Sequence, residues 1–220
     1  EANQRFGYSA KETLNIMQRL YENHKVLTYP RTDSRYLSKD IVPTIKDRLE
    51  ACGTGPYRKL AMTAKKKDLS GKLAFVNDAK VSDHHAIIPT EQFVDLSHMT
   101  NEERKIYDLV VRRFLAVLYP PFEYEQTQVT VKVGGETFLA SGKIVKAQGW
   151  RAAYEEEVYS AEDEEEEEAY ESGKGLKGQT LPELEKGQEI KGLVLSLTEG
   201  KTKPPAHFNE ATLLSAMENP

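Results

Sequence analysis

The sequence lacks the features that mark disulfide-bonded, secreted and membrane-spanning proteins. It has one cysteine, Cys52, in 220 residues, so no disulfide can form within the chain and a reducing compartment is favoured. A membrane span requires about 18 consecutive apolar residues, and no run in the sequence approaches that length. No segment resembles a signal peptide. We therefore expect a soluble, cytoplasmic protein that has no membrane partner.

The sequence also lacks the overall positive charge that is typical of nucleic-acid-binding proteins. The formal net charge is -5, but the charges are unevenly distributed. Residues 1–120 carry 20 Lys or Arg against 15 Asp or Glu, a balance of +5, whereas residues 121–220 carry 10 against 20, a balance of -10. Only the first part has the sign expected of a phosphate-binding surface.

The spacing of apolar residues changes from helical to strand-like after the middle of the chain. Residues 10–23 and 101–118 have helical spacing, and each segment follows a capping-box pattern. Thr127, Val129, Val131 and Val133 alternate with polar residues, a Gly-Gly turn follows, and residues 137–145 return, which predicts a hairpin. Residues 193–197 predict a further strand.

These patterns predict an α+β fold in three parts. A helical domain with small strands occupies residues 1–119, before the helix-breaking pair Pro120-Pro121. An antiparallel β-rich arch domain occupies residues 120–203, and residues 204–220 begin another helical domain. The Glu-rich segment 155–171 predicts a solvated or disordered loop that repels DNA.

The segment 26–35, Val-Leu-Thr-Tyr-Pro-Arg-Thr-Asp-Ser-Arg, has the clearest chemical pattern. Pro30 holds Tyr29 extended at the end of a short apolar strand, so the phenol is presented rather than packed. Arg31 favours phenolate and neutralises charge at a phosphorus under attack, while Asp33 orients Arg31 or shuttles a proton. The pattern is typical of a tyrosine that attacks phosphate, although similar strings also occur in ordinary capped turns.

Further side chains are candidates for holding DNA phosphates or the reacting group. The candidate phosphate contacts are Thr32, Ser34, Arg35, Lys65, Lys66 and Lys67. The lysine triplet is either a solvated loop or a contact for the DNA backbone. Adjacent residues His84 and His85 cannot face the same way on a strand, so at most one points into a given site. Because the histidines have no spaced partners, we predict no metal site in the chain.

Four segments resemble those of a known family in order and spacing. The string Tyr29-Pro30-Arg31-Thr32-Asp33-Ser34 resembles the active-site motif of type IA DNA topoisomerases. The proline directly after the tyrosine makes it similar to the motif of the bacterial topoisomerase III branch. The other matching segments are 5–14, 83–90 and 203–211. This resemblance spans nearly the whole chain.

The resemblance implies a strand-passage mechanism on single-stranded DNA. Tyr29 attacks a backbone phosphate, which leaves a 5′ phosphotyrosine and a free 3′ hydroxyl, and resealing needs no ATP. Arg31 and His84 position and neutralise the phosphate, and Asp33 orients Arg31. His85 stands where some relatives have glutamate; it is counted among the DNA contacts, and its role is open.

The resemblance also implies that other parts of the enzyme lie outside this chain. The family's acidic domain carries a glutamate and an Asp-x-Asp-x-x-Gly string, and no such string occurs here. We therefore expect an internal fragment of a monomeric, nucleoid-associated enzyme whose magnesium is bound by the preceding domain. Residues 204–220 would begin the DNA-binding helical domain, and the fragment alone is expected to relax no DNA.

Two other functions remain open from the sequence. Tyrosine recombinases also combine Tyr with Arg and His, but their arginines come from distant segments and their tyrosine lies near the chain end. A DNA-binding module without chemistry is the second alternative, because small helical units with a hairpin often bind duplex grooves.

Overall fold

The computed structural model describes residues 1–154, 181–182 and 184–218. The described residues form two compact units. The first contains Glu1–Pro120, Gly149–Tyr154 and the described part of His207–Pro220, and the second contains Pro121–Gln148 and the described residues up to Ala206. The boundaries predicted at 119/120 and 203/204 stay predictions, and the acidic segment 155–171 lies outside the described residues.

The first unit is mainly helical. Its α-helices are α1 (Ala2–Phe6), α2 (Ala10–Glu22), α3 (Ile45–Cys52), α4 (Arg58–Ala64), α5 (Asn101–Leu118) and α6 (Glu210–Glu218). Short 3-10 turns cover Lys39–Thr44, Gly55–Tyr57, Asp78–Lys80, Leu96–His98 and Gly149–Ala153. The predicted long helices are confirmed, and both capping boxes form because each cap hydroxyl and the glutamate three residues later exchange hydrogen bonds with the backbone.

The core of the first unit lies where α2 and α5 pack together. Leu20 of α2 and Val111 and Leu115 of α5 are fully buried. The 3-10 turn at Gly149–Ala153 returns to this core and carries Trp150, whose ring packs edge-on against Tyr154 at 5.9 Å between centroids. Although this turn lies inside the second predicted domain, it packs with the first unit.

The second unit contains the predicted hairpin. Strands β1 (Glu123–Val133) and β2 (Glu136–Ala147) pair antiparallel and close at Gly134-Gly135, whose φ angles of 57° and 89° suit a tight turn. The predicted strand at 193–197 is wrong. That segment has no regular structure, and Val194 and Leu197 are 92% and 95% exposed, because no neighbouring strand among the described residues offers hydrogen bonds. The fold mixes helix and sheet as predicted.

Glu103 joins the end of α2 to the start of α5. Its side chain is 5% exposed, lies 3.3 Å from His24 Nε2, and accepts hydrogen bonds from Arg19 Nε at 2.8 Å and the Thr100 amide at 2.9 Å. Burial alone would raise the pKa of this carboxyl, but the Arg19, Thr100 and His24 contacts outweigh it and hold the pKa below the ordinary value of 4.5.

We expect this carboxylate to make folding pH-dependent. Because its folded-state pKa is lowered, its stabilising contribution is present above pH 4.5 and is lost as the pH falls through the lower folded value. Replacing Glu103 by Gln should lower the free energy of unfolding by about 1–3 kcal/mol at neutral pH and flatten its fall in acid. Thermal melts across this range test it, with Glu22→Gln on the exposed face of α2 as the matched control. Identical acid profiles for wild type and Glu103→Gln would contradict the prediction.

Candidate active site

The segment that leads to Tyr29 is held extended by a short antiparallel contact. Leu27, 1% exposed, bridges Pro89, and the Thr28 amide donates to the Ile88 carbonyl at 3.0 Å. The Ile88 amide donates in turn to Thr28 Oγ1 at 3.0 Å. Because these bonds align the two segments, the histidines that precede Ile88 are brought beside the tyrosine that follows Thr28.

Tyr29 lies half-buried between aromatic neighbours rather than in the core. Its ring centroid is 4.5 Å from that of His84, with the planes tilted by 45°. It is 5.5 Å from the ring of Tyr21 on α2, in an edge-on arrangement at 78°. No residue in the described ranges makes a hydrogen bond to the Tyr29 hydroxyl, so the phenolic oxygen is free to meet a substrate.

Other tyrosines of the first unit are placed differently. Tyr57 and Tyr107 are 3% and 1% exposed, and burial raises the pKa of both phenols. The Asp108 carboxylate, which accepts a hydrogen bond from the Tyr57 hydroxyl at 2.9 Å, raises the pKa of Tyr57 further. Such phenols are poor nucleophiles near neutral pH.

Arg31 and Asp33, two and four residues after Tyr29, are both exposed. Within residues 1–154 the Arg31 guanidinium makes no ion pair or hydrogen bond to another side chain, so it is available to an anion. The Asp33 carboxylate accepts a hydrogen bond from Ser82 Oγ at 3.3 Å, and the structure forms no Arg31–Asp33 pair in that range. The predicted role of Asp33 in orienting Arg31 stays a prediction.

The hydroxyls of Thr32 and Ser34 fasten two loops together. Thr32 Oγ1 donates to the His84 carbonyl at 2.8 Å, and Ser34 Oγ donates to the Lys80 carbonyl at 2.7 Å. Thr32 Oγ1 also accepts a hydrogen bond from the Ser34 amide, and Ser34 Oγ accepts one from the Tyr36 amide, both at 3.1 Å. In this structure the two hydroxyls hold the segment of Lys80 and His84 against the Tyr29 loop. To donate to a phosphate, as predicted, each hydroxyl would first have to give up its hydrogen bond to that segment.

The other predicted DNA contacts fall into separate places. His84 is exposed and contacts Tyr29, whereas His85 turns to the backbone of the next residue, with Nδ1 2.7 Å from the Ala86 carbonyl. The Ser38 hydroxyl and, to a smaller extent, nearby His85 lower the pKa of Asp40. The two histidines therefore point differently, as their adjacency predicts. Arg35 is exposed.

The lysine triplet follows the C-terminus of α4. Lys65 Nζ pairs with Glu50 Oε2 of α3 at 2.7 Å and lowers the pKa of that carboxyl. The Lys66 and Lys67 amides donate to carbonyls of α4 at 3.2 and 3.0 Å. The hydrogen bonds and ion pairs of the triplet thus lead to α3 and α4, with none to the Tyr29 loop among the described residues.

Two neighbours of this site were missed from the sequence. Tyr21 belongs to the apolar pattern that predicts α2, and the structure shows that it is 38% exposed and that its ring contacts Tyr29. Lys80 lies 4.7 Å from the ring centroid of Tyr36 and donates to its hydroxyl at 3.3 Å. The helical spacing of Tyr21 is consistent with either a core residue or a site residue. No sequence pattern around Lys80 indicates a place near the site.

The described part of the chain shows no grouped metal ligands and no membrane helix. No set of three or more His, Cys, Asp or Glu side chains in these ranges is placed to hold a metal ion. None of the helices there is long and apolar enough to cross a bilayer.

Comparison with known proteins defines the class. The family model of DNA topoisomerase matches residues 1–220. Topoisomerase I from Thermotoga maritima has the same fold over 99% of this chain and 32% of its own, with a TM-score of 0.64 at 24% identity. The chain therefore belongs to the DNA topoisomerase family, in its type IA branch.

Relatives with higher identity narrow the class further. The chain is 56% identical to a protein named DNA topoisomerase 3 from Bacillus licheniformis, 58% identical to the one from Bacillus anthracis and 56% identical to the one from Bacillus subtilis, over all 220 residues. These names agree with the predicted topoisomerase III branch. The chain spans 29% of the length of each of these relatives.

Proposed function

We propose that this chain carries the DNA-cleaving tyrosine of a type IA topoisomerase and that Tyr29 forms the covalent bond to DNA. The observation that supports this most directly is the half-buried Tyr29 ring, which contacts the tilted ring of His84 and leaves its hydroxyl without a protein partner in the described ranges. Arg31, two residues on, offers a guanidinium that is also free there. Family membership supports the same reaction, because relatives of this chain are DNA topoisomerases.

The proposed reaction exchanges one phosphoester for another. The Tyr29 oxygen bonds to a backbone phosphorus of single-stranded DNA, and the bond from that phosphorus to the 3′ oxygen breaks. The phenol loses its proton and the departing 3′ oxygen gains one, so the strand ends in a 3′ hydroxyl. The bond energy stays in the phosphotyrosine, and the reverse attack reseals the strand without ATP. Another strand passes before resealing.

Arg31 and His84 would stabilise the phosphate during this exchange. The Arg31 guanidinium can donate two parallel hydrogen bonds to phosphate oxygens and neutralise the charge that develops there. His84, whose ring lies 4.5 Å from the attacking ring, can donate from its imidazole to another oxygen. Backbone contacts of this kind make binding of unpaired DNA strongly salt-dependent.

The rest of the machinery would lie outside these residues. We propose that magnesium and its carboxylates belong to a segment that the longer relatives have, that the full-length protein is monomeric and associates with the nucleoid in the cytoplasm, and that the 220 residues alone relax no DNA. Here "full-length protein" means a protein of the length of those relatives that contains this chain. Relaxation of a supercoiled plasmid by the 220 residues alone would contradict this division.

End-labelled single-stranded DNA tests the proposed function. The full-length protein is mixed with oligonucleotide and magnesium and then denatured. A 5′ phosphotyrosine requires that the fragment carrying the 3′ label stays on the protein and the fragment carrying the 5′ label is released. The opposite pattern indicates a recombinase-type 3′ linkage. Retardation in a native gel without any adduct indicates a binding module.

The Thr32 hydroxyl gives a prediction about the loop beside Tyr29. Thr32→Val removes the donor to the His84 carbonyl, so the histidine should be held less firmly and adduct formation should slow by about threefold to tenfold, as for loss of one hydrogen bond. Thr32→Ser keeps the donor and should be close to wild type. The rate of adduct formation in the full-length protein measures both, and equal rates for the two variants would refute the role.

A further inference from the structure

Tyr21 is an aromatic neighbour of Tyr29 that the proposed reaction has not yet used. It lies in the last turn of α2, 38% exposed, with its ring edge-on to that of Tyr29 at 5.5 Å. We propose that Tyr21 is a positioning residue for strand cleavage and that its ring sets the direction in which the Tyr29 phenol points. The proposal rests on the proposed function of Tyr29.

The Tyr29 ring needs such a partner because the described residues offer it no polar anchor. Its hydroxyl has no hydrogen bond there, so its orientation depends on the rings that touch it. Tyr21 at 78° has the edge-to-face geometry that aromatic pairs prefer, and its separation is inside the range of attractive pairs. His84 supplies the second ring contact, at 4.5 Å. Two ring contacts limit the side-chain rotations that would swing the phenolic oxygen away from a phosphate.

Tyr21 is well suited to this task because its own backbone is firmly held. The preceding residue, Leu20, is fully buried, and Arg19, two positions earlier, pairs with the buried Glu103 of α5. The chain after α2 is held to the same carboxylate through His24. The ring of Tyr21 is therefore carried by a rigid helix end.

The hydroxyl of Tyr21 is not needed for this role. It has no hydrogen-bond partner within the described ranges, and the ring is exposed enough that its removal leaves the α2–α5 core intact. A variant with Phe at this position should therefore cleave at the wild-type rate, whereas a variant without a ring should cleave more slowly. A catalytic role for the Tyr21 oxygen would make Phe as slow as a residue without a ring.

Positioning effects on a nucleophile appear in the rate of chemistry rather than in binding. A reacting group that is displaced by about 1 Å can lose about 100-fold in rate. Because His84 still contacts Tyr29 when the Tyr21 ring is removed, we expect a smaller loss, of about threefold to tenfold. The affinity for single-stranded DNA should stay within about twofold, since phosphate contacts dominate it.

The test is single-turnover cleavage by the full-length protein at saturating single-stranded oligonucleotide, with the DNA dissociation constant measured separately. Tyr21→Ala and Tyr21→Leu should slow adduct formation while binding is kept, and Tyr21→Phe should restore the wild-type rate. Leu preserves an apolar side chain on α2, so it remains informative if the Ala variant unfolds. Tyr8→Ala is the matched control, because Tyr8 is a half-buried tyrosine that packs on Phe6.

Failure of the positioning role and failure of the proposed function give different results. If the wild type forms the adduct and Tyr21→Leu cleaves at the wild-type rate, the positioning role is wrong and the function of Tyr29 stands. A Tyr21→Phe variant as slow as Tyr21→Leu would also overturn the role, because it would assign the effect to the hydroxyl. If the wild type forms no adduct, both proposals fail together.

Discussion

Replacing Tyr29 by Phe in the full-length protein is expected to abolish the covalent DNA adduct, a loss of at least about 10³-fold, as when a nucleophile is removed. The substitution deletes only the phenolic oxygen. The ring contacts with His84 and Tyr21 remain, and that oxygen has no hydrogen bond within the described ranges. The free energy of unfolding should therefore change by less than about 0.5 kcal/mol, and binding of single-stranded DNA should persist.

This combination of lost chemistry and kept binding distinguishes a nucleophile from a structural residue. Tyr154→Phe is the control, since Tyr154 is a half-buried tyrosine packed on Trp150. It should form the adduct at the wild-type rate. An adduct that persists in Tyr29→Phe would show that another group makes the bond.

Replacing Arg31 by Ala is expected to slow cleavage by about 10²–10³-fold, the loss typical of removing one donor to a developing oxyanion. The Arg31 guanidinium has no side-chain partner within residues 1–154, so its removal should leave the free energy of unfolding nearly unchanged. Loss of a phosphate contact should also reduce the salt dependence of DNA binding by about one unit of slope. Cleavage rates and a salt titration measure the two effects.

Two further variants define what Arg31 contributes. Arg31→Lys keeps the charge and loses the planar fork, so it should recover only part of the rate. Arg58→Ala removes an equal charge from the exposed surface of α4 and should cleave normally. If Arg31→Ala cleaves as fast as Arg58→Ala, Arg31 does not act on the scissile phosphate.

The parts of the fold that could be predicted from the sequence are those fixed by local contacts. A capping box needs residues three apart, so α2 and α5 could be located from Ser9 and Thr100. The hairpin closes at a Gly-Gly turn between alternating strands and is equally local. The segment 193–197 has the apolar residues of a strand, but a strand also needs a neighbour, and a short apolar run does not supply one.

The site could be predicted only in part for the same reason. The Tyr29 motif is contiguous, so its residues could be named, but their contacts come from distant segments. Thr32 is bonded to a carbonyl 52 residues away, and Ser34 to one 46 residues away. The sequence therefore names Thr32 and Ser34 as candidate phosphate contacts, which stays a prediction, but it does not show that both hydroxyls also fasten a distant loop. The role of Tyr21 does not follow from the sequence, because helical spacing marks the packed face of a helix whether that face meets a core or a reactive side chain.

The central claim is that the phenolic oxygen of Tyr29 becomes bonded to a DNA phosphorus, and mass spectrometry of the trapped adduct tests it most directly. The sequence favours this measurement, because trypsin cuts after Arg19, Lys25 and Arg31 and so separates Tyr21 from Tyr29. After nuclease and trypsin digestion, we expect a nucleotide joined through its 5′ phosphate to the peptide of residues 26–31, with the added mass on Tyr29. The same mass on the peptide of residues 20–25, or a 3′ linkage, would contradict the account.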